Sequence, residues 1–406
     1  MQFADRLGDL QSNVFADMDQ AKAIARAAGR DLIDLSLGSS DLAVEASILE
    51  RIGQSLGDPA THGYLLFHGT RDFRQAAAAW YEGRFGLPID PETEVLPLIG
   101  SQEGTAHLPL AILNPSDYAL LLDPGYPSHA GGVYLAGGQI YPMPLLAEHQ
   151  FLPVFSQIPQ PVLAQARLMV LSYPHNPTTA IAPLSFFEEA VAFCQQHDLV
   201  LVHDFPYVDL VFEGSAAPSI LQADRQKQLA IEFFSCSKSY SMGGFRIGFA
   251  VGNRELILAL RQVKAAVDFN QYKGILNGAI AALTGPQVGV AKRLQTFRDR
   301  RDAFVGVLNQ MGWQVSLPPA TMYIWARLPA AWANQSVQFC QELVVKTGVA
   351  ASPGAGFGKF GEGYVRFALV QDPARLEVAA ARIAEFIASE GTSEKADFGV
   401  SFRPVG

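Results

Sequence analysis

The chain is predicted to be an α/β protein, with a three-layer α/β/α large domain on a mostly parallel sheet and a smaller α+β domain. Three observations predict this. Between about residues 94 and 251, short β-rich runs alternate with helical stretches. The runs are nearly continuous in apolar residues, the pattern of strands buried on both faces. With 406 residues and 49% hydrophobic composition, the chain can fill one large core and a second, smaller one.

The candidate strands, in order, are TEVLPLI (93–99), DYALLLD (117–123), GGQIYPM (137–143), ARLMVLSY (166–173), HDLVLVHD (197–204), LAIEFFS (229–235) and RIGFAVG (246–252). Helices are expected between them at 70–86, 102–114, 127–137 and 184–197. The last, PLSFFEEAVAFCQQH, carries acids in its first half and apolar residues at helical spacing. Downstream, a long helical region at about 272–310 leads to TMYIWARL, to GYVRFALV and to a final helix at about 372–388. The expected division is 49–285 for the large domain and 1–48 with 286–392 for the small one. Residues 393–406 have no strong pattern and read as a tail.

Composition narrows the function. A net charge of −9 provides no basic field for nucleic acid or an anionic membrane, so the expected partners are small molecules. No run of about 18 apolar residues occurs, and MQFADRLGDLQSNVF has acids where a signal peptide is basic and then apolar. The default compartment is the cytoplasm. Cys194, Cys236 and Cys340 form neither a disulfide framework nor a metal motif and read as reduced. The histidines give no His-Glu-x-x-His and no tight cluster, so no metal is expected.

Two motif matches point elsewhere. GFGKFG (356–361) satisfies G-x-G-x-x-G, but a strand follows it where a dinucleotide fold needs a helix, so it reads as a loop. Ser235-Cys-Ser-Lys238 with Lys346-Thr-Gly348 resembles two signatures of penicillin-recognising serine enzymes, which would make Ser235 a nucleophile and Lys238 its base. The third signature, Ser-x-Asn, is missing between 239 and 345, and Gly348 sits where a helix C-cap is expected.

Other residues converge on one chemistry. GSQEG, from Gly100, follows a strand and opens a helix: alone it reads as an ordinary capped helix with Ser101 as N-cap, or as an anion site with free N–H groups at the positive end of the dipole. DPGYPSH puts Tyr126 in a loop after a strand, where an aromatic serves packing or offers a flat surface for a ring. SYPHNPTT places Asn176 between two prolines beyond another strand end. Asp204 closes the apolar strand VLVHD, at the end where open α/β sheets bind ligands, with Tyr207 three residues on. In SCSKSYSMGGFRIGF (235–249), Lys238 ends the next strand segment beside Ser235, Ser237 and Arg246. An amine there can form an imine with an aldehyde cofactor whose phosphate the serines and arginine hold, with Asp204 keeping a pyridine nitrogen protonated. That cofactor is pyridoxal phosphate.

From about Leu35 to Ala388 the chain resembles the class I/II aminotransferases of fold type I. The motifs THGYLLFHGTRDFRQAAAAWYEGRFG, GSQEG, DPGYP, YPHNPTT, VHDFPY, SCSKSYSMGGFRIG and GYVRFALV occur in family order. The resemblance implies that Lys238 holds the cofactor as an internal aldimine and then moves a proton between the substrate Cα and the cofactor. It implies Asp204 at the ring nitrogen, Asn176 and Tyr207 at the phenolic oxygen, and Tyr126 stacked on the ring. Ser101, Gln102, Ser235, Ser237 and Arg246 would hold the phosphate. Tyr64 would reach it from a neighbouring subunit, implying a homodimer with shared active sites. Arg366 would fork onto the substrate α-carboxylate, and Gly38 would line the substrate pocket. In SLGSSDL, Ser40 replaces the proline that stiffens this loop in many relatives. The implied reaction is ping-pong transamination between an L-amino acid and a 2-oxo acid; the same scaffold also serves β-lyases and decarboxylases. SPGAGFG and GSQEGTAHLPLAILNP are similar to the alanine, aspartate and diaminopimelate branches.

Overall fold

All seven apolar runs are strands of one sheet in the computed structural model, which describes residues 3–4, 6–10, 13–214 and 216–390. They are β1 (Val95–Leu98), β2 (Tyr118–Asp123), β3 (Gln139–Pro144), β4 (Ala166–Leu171), β5 (Val200–Asp204), β6 (Ala230–Ser235) and β7 (Gly248–Gly252). The spatial order is β1-β7-β6-β5-β4-β2-β3. Pairing is parallel throughout except that β7 runs against both of its neighbours.

The unbroken apolar character of these strands follows from their surroundings. Successive residues of a strand point to opposite faces, and here both faces are covered. Met169 and Leu171 of β4 enter one apolar core, while Leu168 and Val170 enter another. The reversed direction of β7 has a consequence for the site. Its N-terminal end lies at the edge where β5 and β6 finish, which brings Arg246 beside the turn that leaves β1.

Four expected helices are observed at Arg71–Phe85, Ser101–Ile112, Pro127–Ala136 and Leu184–His197, and the final one spans Pro373–Glu390. The expected single helical region at 272–310 is corrected. It is two helices, Lys273–Thr284 and Val288–Gln310, separated at Gly285, Pro286 and Gln287, because proline lacks the N–H that would continue the ladder. Helices at Asn13–Ala27, Ala46–Leu56 and Arg254–Val267 were not anticipated. The last starts at Asn253, whose side chain accepts from the Glu255 and Leu256 amides at 2.8 and 3.0 Å.

A second, antiparallel sheet has the order β9-β10-β8, from β8 (Tyr323–Arg327), β9 (Ser352–Pro353) and β10 (Tyr364–Ala368). Ile33–Asp34 pairs in parallel with Val349–Ala350. Around these strands a third core gathers Met18, Ala21 and Ala25 from the N-terminal helix, Phe297 and Phe304, and Leu376 and Ile383. Tyr207, Leu210 and Phe212 join that core from beyond the end of β5.

GFGKFG is a loop of two 3₁₀ turns leading into β10. Its Lys359 and Phe360 amides donate to the Asp123 carboxylate at 3.2 and 3.0 Å. Gly348 caps the helix Ser336–Thr347 in the left-handed region, at φ 78°. Residues 393–406 lie outside the described residues. Among the described residues no helix is long and apolar enough to cross a membrane.

Candidate active site

A cavity of about 540 Å³ opens where the strands of the central sheet end, walled also by the second sheet and the N-terminal helix. Gly38, Ser101, Gln102, Tyr126, Asn176, Asp204, Tyr207, Ser235, Ser237, Lys238, Arg246 and Arg366 all line it. Tyr64 does not. It is 96% exposed on the surface of its own chain.

Asp204 occupies the last position of β5, so its side chain leaves the sheet at the cavity while His203 points to the other face, onto Glu232 at 2.8 Å. Asp204 is buried. Its Oδ2 meets Nε2 of His129 at 3.0 Å, and its Oδ1 has no partner. A buried acceptor without a donor is costly, so this oxygen is an open seat for an N–H.

Lys238 is carried by the one-turn helix Cys236–Ser239, which begins at Ser235 directly after β6. The Ser235 hydroxyl accepts from the Ser237 amide at 3.2 Å and donates to the Ser237 hydroxyl at 2.9 Å. The Lys238 ammonium donates to the Gly38 carbonyl and lies 5.7 Å from the Tyr207 ring centre. It makes no bond to Ser235, and Lys346-Thr-Gly348 is not in the lining. The serine acyl-enzyme reading therefore lacks both its nucleophile–base contact and its third wall.

Across the cavity floor the helix Ser101–Ile112 begins after Gly100, at φ 76°. A side chain on Gly100 would strike the Arg246 guanidinium, and one on Gly248 would strike the Phe234 carbonyl and the Ser101 amide. The close approach these glycines permit gathers the helix N-terminus, Ser235, Ser237 and Arg246 on one wall. Free amides, hydroxyls and a guanidinium together form a cradle for a phosphate-sized anion.

Arg366, buried in β10, is held from three sides. It donates to Asn176 Oδ1 at 2.9 Å, to the Ser36 carbonyl at 2.7 Å and to the Ser352 hydroxyl at 3.2 Å. Its guanidinium stacks on Tyr323 at 4.3 Å and on Phe357 at 4.6 Å. A cation fixed this way presents a pre-oriented fork to a carboxylate.

Several residues in and beside the lining were not anticipated. Tyr323, in β8, bonds the Tyr207 hydroxyl at 2.8 Å, and its own hydroxyl lies against Gly38, where a Cβ would stand 1.9 Å away. Burial pushes the Tyr323 phenol up, but Lys238, Arg366 and the Tyr207 bond outweigh it and hold the group below the usual phenol range. Tyr207 is driven the other way, chiefly by burial and also by Tyr323. Lys22, from the N-terminal helix, lies in the wall with Asp19 at 2.8 Å and Asp34 at 3.4 Å. His129 falls three residues after Tyr126, at the same side of a helix turn, and that spacing was its available signal. For Tyr323 the signal was strand alternation, since β8 pairs with the strand that carries Arg366. His175, assigned no role, is buried against Thr178 at 2.7 Å; burial, with a smaller contribution from His129, lowers it to about 3 and keeps it neutral.

The histidines do contribute one cluster that the sequence order hides. Glu103, His107 and Asp268 bring their ligand atoms within 4.8 Å of one another, but the Lys264 ammonium already stands 2.6 Å from Glu103. A resident cation thus occupies that group.

Comparison with known proteins finds relatives along nearly the whole chain. Residues 30–383 match the family described as aminotransferase class I and II. An LL-diaminopimelate aminotransferase of Dehalococcoides mccartyi is 42% identical over 386 residues, 95% of this chain and 99% of its own. Among solved structures, a probable N-succinyldiaminopimelate aminotransferase from Thermus thermophilus is 44% identical with a TM-score of 0.87, covering 92% of this chain and 99% of that one. A single mutant of the aspartate aminotransferase of the same species superposes with a TM-score of 0.88 at 25% identity, over 95% and 99% of the two chains.

Proposed function

The chain belongs to the class I and II aminotransferases, and from that premise we propose that it uses pyridoxal phosphate to move an amino group from a diaminopimelate-type amino acid to a 2-oxo acid. Aminotransferase activity is the function of the family, and amino acids and 2-oxo acids are its substrates. The cofactor's seat, the residue roles and the donor are the proposed part.

The observation that carries the reading is Asp204, a buried carboxylate with a partnerless Oδ1, in the lining of the same cavity as the Lys238 amine and the anion cradle. The three are what the cofactor's ring nitrogen, aldehyde and phosphate require. Bound there, pyridoxal phosphate supplies an aldehyde that condenses with amines and a ring that accepts the electron pair of the substrate Cα–H bond.

This chain's own residues do the rest. Ser101, Gln102, Ser235, Ser237 and Arg246 bind the phosphate, and Asp204, steadied by His129, holds a proton at the ring nitrogen. Tyr126 covers one face of the ring, while Asn176 and Tyr207 donate to its phenolic oxygen. Lys238 removes the substrate Cα proton and returns it. Arg366 orients the α-carboxylate, and Gly38, which leaves room for the Tyr323 hydroxyl against it, lines the substrate pocket. Exposed Tyr64 is proposed to complete the phosphate site of a second subunit in a homodimer. The buried thiols Cys194, Cys236 and Cys340 suit a reducing cytoplasm. Residues 1–48 and 286–392 are proposed as the smaller domain, consistent with their shared core.

The donor class rests on the relatives, whose names specify free LL-diaminopimelate and its N-succinyl derivative. Both share a seven-carbon dicarboxylic skeleton. Mixing the cofactor-loaded protein with each compound, and with alanine and aspartate, is expected to bleach the bound cofactor's visible band fastest with one of the diaminopimelate pair. Faster bleaching by alanine or aspartate would overturn the assignment of donor. Release of ammonia, pyruvate or carbon dioxide instead of a 2-oxo acid paired with a new amino acid would favour a lyase or decarboxylase.

Arg366→Lys keeps the charge but loses the planar fork and its stacking. It is expected to raise KM for amino donors about 10- to 100-fold, with cofactor binding intact. An unchanged KM would remove Arg366 from the carboxylate site.

A further inference from the structure

We propose that Lys22 and Asp19 are specificity-determining residues that take the far amino-acid head of a diamino diacid donor, Lys22 its carboxylate and Asp19 its ammonium. The inference rests on the diaminopimelate-type donor proposed above and deepens it, favouring the free diamine over the N-succinyl derivative.

A cation taken out of water is costly unless it is paired. The Lys22 side chain is only 9% exposed, and it belongs to the wall of the cavity. Its ammonium bonds Asp19 at 2.8 Å and lies 3.4 Å from both Asp34 and the Ser36 hydroxyl. The two acids are not equivalent. Asp34 already accepts from the Ser36 amide at 2.9 Å and from the Ser36 hydroxyl at 2.6 Å, which fixes it to its own segment. Asp19 also lines the cavity, and its side chain is 75% exposed, open to a ligand. Neighbouring opposite charges of this kind complement a zwitterion, the ammonium of the ligand meeting the acid and its carboxylate the lysine. With one cation against two carboxylates, the group carries a net negative charge. A far end that is carboxylate alone is therefore received less well than one that also brings an ammonium. Acylation by a succinyl group removes that ammonium and adds another anion.

Spacing supports the same reading. The segment from Ser36 to Gly38 touches three cations of the cavity: the Ser36 carbonyl accepts from Arg366 at 2.7 Å, the Gly38 carbonyl accepts from Lys238, and the Ser36 hydroxyl reaches Lys22. One serine thus links Arg366 to Lys22, which keeps the two bonded nitrogens within about 11 Å of each other. An extended seven-carbon diacid spans about 7.5 Å between its carboxyl carbons, and a hydrogen bond at each end lengthens its reach. A donor held by Arg366 therefore has the length to bring its other head to Lys22 and Asp19. Met18 and Leu37 add apolar lining suited to the connecting methylenes.

The test compares three donors of equal length on the cofactor-loaded protein: LL-diaminopimelate, L-2-aminopimelate, which lacks the far ammonium, and L-2-aminoheptanoate, which lacks the whole far head. Lys22→Met is expected to lower kcat/KM about 10- to 100-fold more for the first two than for aminoheptanoate. It is also expected to weaken binding of pimelate, an unreactive diacid, when measured by calorimetry. Asp19→Asn is expected to lower kcat/KM about 5-fold for diaminopimelate alone. A salt bridge that merely pins the helix Asn13–Ala27 would, when cut, affect all three donors alike. Equal losses on the three, no loss, or unchanged pimelate binding in Lys22→Met overturns the proposal. A preference of the unaltered protein for N-succinyldiaminopimelate over the free diamine also overturns it and leaves the donor class standing, whereas a preference for alanine or aspartate overturns the donor class itself. Should Lys22→Met fold poorly, Asp19→Asn, at an exposed position, decides: a loss confined to diaminopimelate supports the assignment, and any other pattern rejects it.

Discussion

Lys238→Ala is expected to lower transamination by about 10⁴-fold or more and to leave no covalent bond between protein and cofactor. The argument is local. Lys238 is the amine that the fold sets among Tyr207, Gly38 and the end of β6, on the same cavity as the phosphate cradle and Asp204. Removing it takes away both the anchoring amine and the group that moves the Cα proton, while the cradle formed by Ser101, Ser235, Ser237 and Arg246 is untouched. Cofactor should therefore still bind, though reversibly, and wash out on dialysis. Borohydride reduction followed by peptide mapping checks this, with an adduct on residue 238 of the unaltered protein and none on the variant. Undiminished turnover, or an adduct on another lysine, would refute the role.

Asp204→Asn is the second large effect, expected to cost about 10²- to 10³-fold in kcat with cofactor still covalently attached. The amide has nearly the shape of the carboxylate but no charge, so it cannot hold a proton at a ring nitrogen at so buried a position. Because His129 contacts the other oxygen at 3.0 Å, the side chain should keep its position. Single-turnover bleaching by an amino donor separates the outcomes. A slow chemical step with unchanged donor affinity supports the assignment, and an unaltered step contradicts it.

The strands and the polar residues at their ends were readable in advance for one reason. A strand buried on both faces has to be apolar along its length, so Asp204 and Lys238 stand out where such runs stop. Chain-local glycines likewise announced the turn before Ser101. Tyr323, His129 and Lys22 escaped because each is ordinary in its own segment and becomes special only through a contact made by the fold. Tyr323 is a common strand residue until β8 is laid beside the strand of Arg366. Lys22 is a surface-type helix residue until its helix covers the cavity mouth. The break at Gly285-Pro286-Gln287 was visible in principle, but apolar periodicity on both sides masked it. Tyr64 is the converse case, singled out from its motif yet exposed and outside the lining of its own chain's cavity.

The pairing of Ile33 and Asp34 with Val349 and Ala350, reinforced by Arg375 and Arg382 clasping Asp31, binds the beginning of the polypeptide to a stretch made more than 300 residues later. During synthesis the central sheet, complete at Gly252, is finished while the arginine that is to hold the substrate is still untranslated. The early N-terminal helix must wait for its late partners before it has a surface to cover. A nascent chain therefore owns its reactive amine well before it owns a closed pocket around it.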